Sequence, residues 1–296
     1  MLFTNEKLNH FAKDPAVVSF RGRYLLYYSI RYDDGRFGIG IAESGDLEDW
    51  KLCGEIPLEE VYEAKGIAAP GAIVLDGKVH LFYQTYGNWE KDAICHAVSE
   101  DGIRFRKNPE NPVFSPKGDW CCGRAIDADV CLFNGRLHLY FATRDHGMKI
   151  QKVGGAWAEL DSGFGKDVWT MLAEQSLLTP ELSWEGECIE APATLVQDGK
   201  MYMFYGGSYN CTPQQIGCAV SEDGVFFRRL FEIPFLPCGT SGTWNSSESG
   251  HPYVFRDEDG RIYLFYQGSA DGGETWYLSK TEIGFEAGIP VLKCKE

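Results

Sequence analysis

The sequence is short of basic residues. It has 28 Lys and Arg against 43 Asp and Glu among its 296 residues, and its formal net charge is −15 at pH 7. Proteins that bind nucleic acids through the phosphate backbone need a basic stripe, and the sequence contains none. The overall negative field also disfavours polyanionic substrates. We therefore expect no nucleic-acid partner.

Long hydrophobic runs are also missing. No apolar segment approaches the ~20 residues that a membrane-spanning helix needs. The first residues, MLFTNEKLNHF, lack the basic segment and the following apolar segment of a secretory signal peptide. These two absences predict a cytoplasmic protein that has no membrane partner.

The 10 cysteines form no motif that would indicate a metal or a disulfide framework. None belongs to a CxxC pair, and none combines with histidine at the spacing of a zinc site. Cys95, Cys131 and Cys218 lie in apolar segments typical of strands, where free cysteine packs as a small hydrophobic residue. A phosphate-binding loop, an HExxH helix and a GxSxG turn are absent as well. The absence of these three motifs argues against a P-loop nucleotide-binding enzyme, an HExxH zinc protease and a GxSxG hydrolase.

What the sequence does contain is an internal repeat of about 60 residues. Five segments each have an apolar strand, a turn in which Gly precedes a basic residue, and a second strand rich in aromatic residues. The turn glycines are Gly22, Gly77, Gly135, Gly199 and Gly260. Most hairpins are followed by a third strand-like segment and a short fourth one. Five such units, without a long amphipathic helix, predict an all-β, five-bladed β-propeller with four antiparallel strands per blade.

A closed propeller needs no linker, so we expect residues 1–296 to form a single domain. Residues 154–187 match the repeat least well. Their Gly, Trp and charged residues predict a long loop or a small insertion over one face of the third blade. Such an insertion would favour a blocked pocket that accepts the end of a sugar chain.

The first strand of each propeller blade lines the central channel, so equivalent residues of the five first strands converge near the axis. Counting eight residues back from the first four turn glycines gives Asp14, Ala69, Asp127 and Ala191. In the fourth blade, Glu190 lies one residue before that position. The fifth turn is longer, and aligning its His-Pro with the Asp-Pro of blade one places His251 beside Asp14.

The sequence therefore predicts a funnel that contains Asp14, Asp127, Glu190 and His251. Three carboxylates in one cleft repel one another, and confinement raises the pKa of at least one of them. Such groups are found mainly where a reaction or a metal uses them. Two carboxylates that flank a sugar can cleave its glycosidic bond, one as general acid and the other as the base that activates water. A third can keep the acid protonated.

The motifs KDPAVV, AIDADV, EAPATL and SGHPYVF, in this order around a five-fold repeat, resemble glycoside hydrolase family 43 and its clan of five-bladed-propeller glycosidases. The resemblance implies that Asp14 is the general base and Glu190 the general acid. It implies that Asp127 orients the substrate and raises the pKa of the acid. It also implies an inverting α-L-arabinofuranosidase or β-D-xylosidase that acts on a small or oligomeric glycoside, and the expected blade-three insertion favours exo cleavage over endo cleavage. A calcium ion often lies near the histidine that matches His251, commonly through water, although no cofactor is required for the chemistry.

Departures from the family pattern leave alternatives open. Blade three has Asp-Ala instead of Asp-Pro, and strand alternation puts Asp129 on the same face as Asp127, so either could modulate the acid. A fructosidase or a transferring glycosidase of the same clan would also use carboxylates in a propeller. Fructosidases place Arg directly before the blade-three Asp, whereas Arg124 lies three residues earlier here. A non-catalytic, carbohydrate-binding propeller would not need three charges in one funnel.

Residues between the repeats are candidates for binding the substrate. Tryptophan stacks on sugar faces, and ordinary loop packing is the competing interpretation. Four tryptophans lie in polar, glycine-containing segments: Trp89, Trp120, Trp184 and Trp244. Arg144 follows the second strand of blade three, where we expect it to reach the rim of the pocket.

Overall fold

The computed structural model describes residues 2–293, and its regular secondary structure is almost entirely β-strand, in five antiparallel sheets. The predicted five-bladed propeller is confirmed. Within the described residues, the helical segments are short 3-10 turns: Glu6–Leu8, Val61–Glu63, Trp89–Lys91 and Ser183–Glu185. None of the helices in residues 2–293 has the length and apolar character needed to cross a membrane.

The strands are numbered along the chain from β1 (Leu2–Phe3). Blade one contains β2 (Lys13–Phe20), β3 (Arg23–Arg31), β4 (Phe37–Ser44) and β5 (Lys51–Glu55). Blade two contains β6 (Ile67–Leu75), β7 (Lys78–Thr85), β8 (Ile94–Ser99) and β9 (Arg106–Lys107). Blade three contains β10 (Ile126–Phe133), β11 (Arg136–Arg144), β12 (Gln151–Ala158) and β13 (Thr170–Met171). Blade four contains β14 (Ile189–Gln197), β15 (Lys200–Gly207), β16 (Gln215–Ser221) and β17 (Arg228–Arg229).

Blade five joins the two ends of the described chain. Its inner strands are β18 (Glu248–Arg256), β19 (Ile262–Ser269) and β20 (Tyr277–Glu286). The outer edge of β20 pairs with β1, where Leu2 faces Ser279, and with β21 (Ile289–Leu292). Because β1 comes from the start of the chain, backbone hydrogen bonds close the ring.

The hydrophobic core lies between the blades. Each of the five clusters of buried apolar side chains combines residues of two neighbouring blades, as when Tyr27 of blade one packs with Leu81 of blade two. The innermost strands β2, β6, β10, β14 and β18 contact one another in this order, and β18 contacts β2. Burial of the aromatic strands thus holds the five sheets around one axis.

A bulge interrupts every innermost strand near its beginning. The residue at the bulge has a positive φ in all five blades: Asp14 (53°), Ala69 (46°), Asp127 (54°), Ala191 (50°) and His251 (41°). In four blades the next residue is Pro, which a bulge tolerates because that residue makes no ladder hydrogen bond. The Asp-Pro, Ala-Pro and His-Pro pairs of the repeat therefore mark these bulges.

Residues 154–187, where the sequence predicts a long loop or a small insertion, consist mainly of loops that connect regular elements of the blade. The segment contains the second half of β12, all of β13 and the 3-10 turn Ser183–Glu185. Gly154 and Gly155 belong to β12. At Gly154 a Cβ atom would collide with the Phe141 ring of β11. At Gly155 it would collide with the Leu172 side chain and would lie only 3.2 Å from the Tyr140 ring of β11. Close packing against these side chains therefore requires the glycines, whose presence suggested a loop.

The cysteines of the described residues are all free. They are Cys53, Cys95, Cys121, Cys122, Cys131, Cys188, Cys211, Cys218 and Cys238. Cys95 and Cys218 are buried in strands β8 and β16, as their apolar surroundings in the sequence predict. Cys294 lies outside the described residues.

Candidate active site

A pocket of about 220 Å³ lies on the axis of the propeller, and we refer to it as the axial pocket. All five blades contribute to its wall, through Asp14, Ala68, Asp127, Glu190 and His251. The structure thus brings together the four polar residues that the sequence places at the start of the first strands. The convergence results from the five-fold repeat of the bulged innermost strand.

The bulge explains why Glu190 is offset by one residue from Asp14 and Asp127. The last paired residue before each bulge is Lys13, Ala68, Ile126, Glu190 or Gly250. Residues on both sides of the same peptide bond reach the axial pocket, as Lys13 and Asp14 do in blade one. Blades one and three line the pocket with both residues of this pair, and the other three blades with one of them. In blade four this residue is Glu190, the first of the pair.

Side-chain oxygens hold the strained backbone of the bulges in place. The N–H of Asp14 donates to Gln267 Oε1 at 3.0 Å, and that of Asp127 donates to Gln84 Oε1 at 2.7 Å. The N–H of His251 donates in the same way to a glutamine oxygen at 3.0 Å. These N–H groups have no partner in the interrupted ladder, so the side chains satisfy them and fix the catalytic candidates.

Asp14 is oriented by His251. Nδ1 of the imidazole lies 3.0 Å from Oδ1 of Asp14. Burial lowers the pKa of His251, and this effect outweighs the opposing effect of the Asp14 charge. At neutral pH the imidazole is therefore uncharged and can donate its Nδ1–H to Asp14. The contact leaves the other carboxylate oxygen of Asp14 available to a ligand.

Asp127 differs from its neighbours in having no hydrogen bond to its carboxyl group from any residue between 2 and 293. Burial raises its pKa well above the ordinary value, and the nearby charges of Glu190 and Asp14 raise it further. Arg124 and Lys13 oppose this effect without cancelling it. The raised pKa favours the protonated form of Asp127.

Glu190 is held between two amide groups. Nε2 of Gln151 donates to its Oε2, and Nε2 of Gln214 donates to its Oε1 at 2.6 Å. The Gln151 amide cannot reverse its orientation, because its oxygen accepts hydrogen bonds from Arg124 at 3.2 Å and from Arg144 at 2.6 Å. The carboxyl group of Glu190 therefore has a fixed orientation toward the axial pocket.

Two of the predicted substrate-binding residues lie at the rim of the axial pocket. Trp89 lines the pocket, has a positive φ of 58° and keeps 69% of its surface exposed. Arg144 also lines it, and its guanidinium carbon lies 5.1 Å from the ring centre of Tyr209. An exposed indole and an arginine stacked on a tyrosine are suitable surfaces for a sugar.

Asp129 does not line the axial pocket, which corrects the prediction that it could replace Asp127. Its Oδ2 accepts hydrogen bonds from the N–H of Thr194 at 2.9 Å and from the Thr194 hydroxyl at 2.5 Å. The strict alternation assumed from the sequence fails because the bulge lies between Ile126 and Asp129. Burial raises the pKa of Asp129 to about 7.

The three remaining tryptophans pack away from the axial pocket. The ring of each lies against a glycine of a strand: Trp120 on Gly154, Trp184 on Gly207 and Trp244 on Gly268. Trp184 is also stacked on Tyr205, with ring centres 6.1 Å apart. This placement supports the loop-packing interpretation, so we no longer assign these three residues to substrate binding.

Several pocket residues were missed by the sequence analysis. Lys13 precedes Asp14 as Glu190 precedes Ala191, and aligning KDP with EAP would have revealed it. The two glutamines that clamp Glu190 and the rim residue Tyr209 lie outside the repeated hairpins, where no pattern marks them. Their positions depend on loop paths that only the structure gives.

A metal ion bound directly near His251 would need a set of ligands from the side chains around it. Within residues 2–293, no group of three or more His, Cys, Asp or Glu side chains is arranged to hold an ion. The imidazole is paired with Asp14, and the charge of Lys13 acts on both residues. Calcium takes roughly six to eight oxygen ligands. The donors around His251 therefore do not fit calcium bound directly by side chains.

A five-bladed propeller whose axial pocket presents three carboxyl groups, one of them with a raised pKa, has the architecture of the propeller glycosidases. Residues 3–283 match the family described as "Glycosyl hydrolases family 43". The chain therefore belongs to glycoside hydrolase family 43, and the protein is a glycosidase.

Individual relatives are distant. A "Beta-xylosidase" from Xylanibacter ruminicola is 31% identical over 94 residues, which are 32% of this chain and only 25% of that enzyme. "A thermostable family-43 glycoside hydrolase" has a similar structure, with a TM-score of 0.77, 23% identity, and coverage of 96% of this chain and 93% of that one. An "Endo-1,4-beta-xylanase" from Bacteroides thetaiotaomicron gives a TM-score of 0.77 at 20% identity, with coverage of 97% and 96%. At such identities the structural likeness concerns the fold alone.

Proposed function

We propose that the protein hydrolyses pentosides, either β-D-xylosides or α-L-arabinofuranosides, and releases the terminal sugar with inversion of the anomeric carbon. The observation that carries this proposal is the axial pocket, in which Asp14, Asp127 and Glu190 converge around a space of about 220 Å³. Pockets for drug-sized ligands range from about 300 to 1,000 Å³. The smaller volume suits a single sugar ring.

Each carboxyl group has a distinct role in the proposed reaction. Asp14, oriented by His251, accepts a proton from the water that attacks the anomeric carbon. Glu190, held by two amides, gives a proton to the glycosidic oxygen as the bond breaks. Asp127 keeps a proton in the pocket and accepts or donates hydrogen bonds to the sugar. After cleavage, Asp14 holds the proton taken from water and Glu190 has given its own to the leaving alcohol. Proton exchange with solvent restores both groups, so the net reaction is hydrolysis of the glycosidic bond.

Exo cleavage is supported by the shape of the site and by its rim. The cavity is small and axial, and the exposed indole of Trp89 stands at its edge, where the unit after the cleaved bond would lie. The names of two relatives, a beta-xylosidase and an endo-1,4-beta-xylanase, refer to xylose-containing substrates. They support a pentoside and leave the choice of linkage to experiment.

The test is a panel of nitrophenyl glycosides that includes the β-D-xyloside, the α-L-arabinofuranoside and hexosides. We expect turnover of at least one pentoside by the wild-type protein, and its loss in Asp14→Asn. Asp161→Asn, in an exposed loop, is the matched control and should retain full activity. Proton NMR of the first-formed anomer tests inversion. Full activity of Asp14→Asn would overturn the assignment of the base.

Fructoside hydrolysis is the second candidate, and one observation favours it. Arg124 lines the axial pocket although it lies three residues before Asp127, and its Nε is 3.8 Å from Asp92 Oδ2. An arginine near the blade-three Asp is a feature of the clan's fructosidases. Sucrose and inulin therefore belong in the panel. Release of fructose without turnover of any pentoside would favour this candidate.

A further inference from the structure

Lys13 brings a positive charge into the axial pocket at the position that corresponds to Glu190. Both are the last paired residues before a bulge, Lys13 opposite Ser29 in β3 and Glu190 opposite Gly206 in β15. Both line the pocket. The same element of the repeat thus supplies the proposed acid in blade four and an ammonium group in blade one.

The ammonium group of Lys13 has bonding capacity left for a ligand. Its Nζ donates to Asn210 Oδ1 at 3.2 Å and lies 4.3 Å from the ring centre of Trp276. An ammonium group has three N–H donors. Within residues 2–293, only Asn210 accepts a hydrogen bond from it. Two donors therefore remain for groups that enter the pocket.

The surroundings keep Lys13 charged. Burial lowers the pKa of its amine, but the negative charges of Asp14, Glu248 and Glu190 more than offset this effect, so the pKa is raised. The charged and titratable groups that interact with Lys13 come from every neighbouring element: Asp14, Tyr86, Asp127, Glu190, Cys211, Glu248 and His251. Carboxylates predominate among them, and Lys13 is their compensating cation.

A hydrogen-bonded scaffold holds Lys13 next to the proposed base. Asn210 Oδ1 also accepts from Gln267 Nε2 at 3.2 Å, and the same Nε2 donates to Glu248 Oε1 at 2.6 Å. The oxygen of Gln267 accepts the backbone N–H of Asp14. The buried Glu248 is therefore linked, through one glutamine, both to the partner of Lys13 and to the backbone of Asp14.

Glu248 fixes the loop that carries the partner of Lys13. Its Oε2 accepts the N–H of Cys211 at 2.7 Å, directly after Asn210 in the chain. The amine is therefore positioned from two sides, by its own strand β2 and by the loop that follows β15. A lysine held in this manner loses little conformational freedom when a ligand binds.

We propose that Lys13 is a substrate-binding residue of the axial pocket and takes the place of a metal ion there. Its ammonium group donates hydrogen bonds to a hydroxyl group of the sugar in the pocket, and its charge balances the carboxylates around that sugar. The inference rests on the proposed function and adds to it a cation that the protein itself supplies. It predicts that the enzyme binds pentoses without a divalent ion.

The experiment compares Lys13→Met, which removes the charge, with Lys13→Arg, which keeps it. Lys51→Met, on the exposed strand β5, is the matched control. Calorimetric binding of free xylose and arabinose is measured in the presence of EDTA. KM, kcat and the pH dependence of kcat/KM are measured on the pentoside that the wild type hydrolyses best.

We expect wild-type binding to be unaffected by EDTA and Lys13→Met to bind the pentose about 10- to 100-fold more weakly, the range for a hydrogen bond to a charged group. KM should rise similarly. The acid limb of the pH profile should move to higher pH, by about one unit, because the carboxylates lose a neighbouring positive charge. Lys13→Arg should keep the acid limb near its wild-type position and still bind the pentose less well than the wild type. The control should match the wild type in all respects.

The outcomes separate the two proposals. If Lys13→Met unfolds more easily but keeps the wild-type pentose affinity and pH profile, Lys13 is structural and the inference is wrong. Loss of wild-type binding on addition of EDTA, with recovery in calcium, also overturns it. If the wild type binds pentoses but cleaves no glycoside, the proposed function fails while calorimetry still tests Lys13. A wild type that neither binds nor cleaves overturns both.

Discussion

Two sets of buried carboxyl groups in the same propeller have opposite surroundings. The axial set consists of Asp14, Asp127 and Glu190, and each member is 6–8% exposed. The edge set consists of Glu63 and Glu185, which belong to 3-10 turns before the first strands of blades two and four and are fully buried. Burial alone would place both sets among the candidates for chemistry.

The edge set is saturated with partners. Glu185 accepts hydrogen bonds from the N–H groups of Glu181 and Leu182 at 2.7 and 3.0 Å and from the Tyr205 hydroxyl at 2.7 Å. It also pairs with Arg229 through two bonds of 2.8 Å. Glu63 repeats this arrangement with two backbone N–H groups, Tyr83 and Lys107. Each edge carboxylate is a structural link between the turn and its blade.

Glu185 of the edge set and Asp127 of the axial set differ in their proton affinity. Burial by itself would raise the pKa of Glu185, but the bonds from Arg229 and the backbone more than offset it, so the pKa is lowered. Asp127 lacks such donors among the described residues, and its pKa is raised. A buried carboxyl group without partners is destabilising unless a ligand supplies them. The number of hydrogen bonds from the protein, and not burial itself, distinguishes Asp127 from the edge carboxylates.

The largest effect should come from replacing the proposed acid in the axial set. We expect Glu190→Gln to lower kcat about 10²- to 10⁴-fold on xylobiose or arabino-oligosaccharides, whose leaving groups need a proton. The loss should be much smaller on a nitrophenyl glycoside, whose leaving group departs as an anion. Steady-state kinetics on both substrate types gives the ratio.

Glu187→Gln is the control for this comparison, because Glu187 is exposed and pairs with Lys149 at the surface. Its kcat should remain within about twofold of the wild type, since exposed ion pairs contribute little. Equal losses on both substrate types in Glu190→Gln would contradict its role as acid.

A second prediction concerns Asp129, which is buried like the axial set but bonded like the edge set. Its pKa of about 7 in the folded state lies above the unfolded value, so protonation stabilises the fold. That stability is complete below about pH 4 and is lost as the pH rises through 7. The unfolding free energy of the wild type should decrease between pH 5 and pH 8, and this decrease should be smaller by roughly 3 kcal/mol in Asp129→Asn.

Urea denaturation at several pH values measures this effect. Glu248, whose pKa burial also raises to about 7, keeps its own part of the pH dependence in the variant. Asp198→Asn, in the exposed turn after β14, is the control and should follow the wild-type curve. A variant with an unchanged pH dependence would mean that Asp129 is ionised throughout this range.

The smallest effect on the kinetic constants should come from replacing Trp89 at the rim of the axial pocket. Trp89→Ala should raise KM for oligosaccharides about three- to tenfold, the range for one aromatic contact, and should leave kcat nearly unchanged. Phe226→Ala, at an equally exposed aromatic residue of blade four, should leave both constants unchanged. A loss of kcat in Trp89→Ala, or no change in KM, would show that the indole does not form the subsite next to the cleaved bond.

The sequence predicts the fold and the axial set well, because both follow from the same repeated hairpin pattern. The hairpin turns at Gly22 and its equivalents define the blades, and Asp-Pro or His-Pro marks the bulge that reaches the axis. Alternation along β10 gave the wrong role for Asp129, since a bulge shifts the face of every residue beyond it.

Residues that depend on loop paths could not be predicted from the repeat. The amides that clamp Glu190 come from Gln151 at the start of β12 and from Gln214 just before β16, and no sequence pattern links them. Trp89 and Trp184 have similar polar, glycine-containing surroundings in the sequence. Only the structure distinguishes an indole exposed at the rim from one packed on Gly207.

The distinction between the axial set and the edge set is tested most directly by measuring both kcat/KM and the unfolding free energy of Asp127→Asn and Glu185→Gln. We predict that Asp127→Asn loses at least about 10²-fold in kcat/KM and keeps its stability at pH 7 or gains some, because a carboxyl group without partners is removed. Glu185→Gln should lose about 3 kcal/mol of stability, since Arg229 loses its buried partner and is left with the exposed carboxylate of Glu181, and the folded fraction of the variant should remain active. An active Asp127→Asn, or an inactive and stable Glu185→Gln, would contradict the distinction between the two sets.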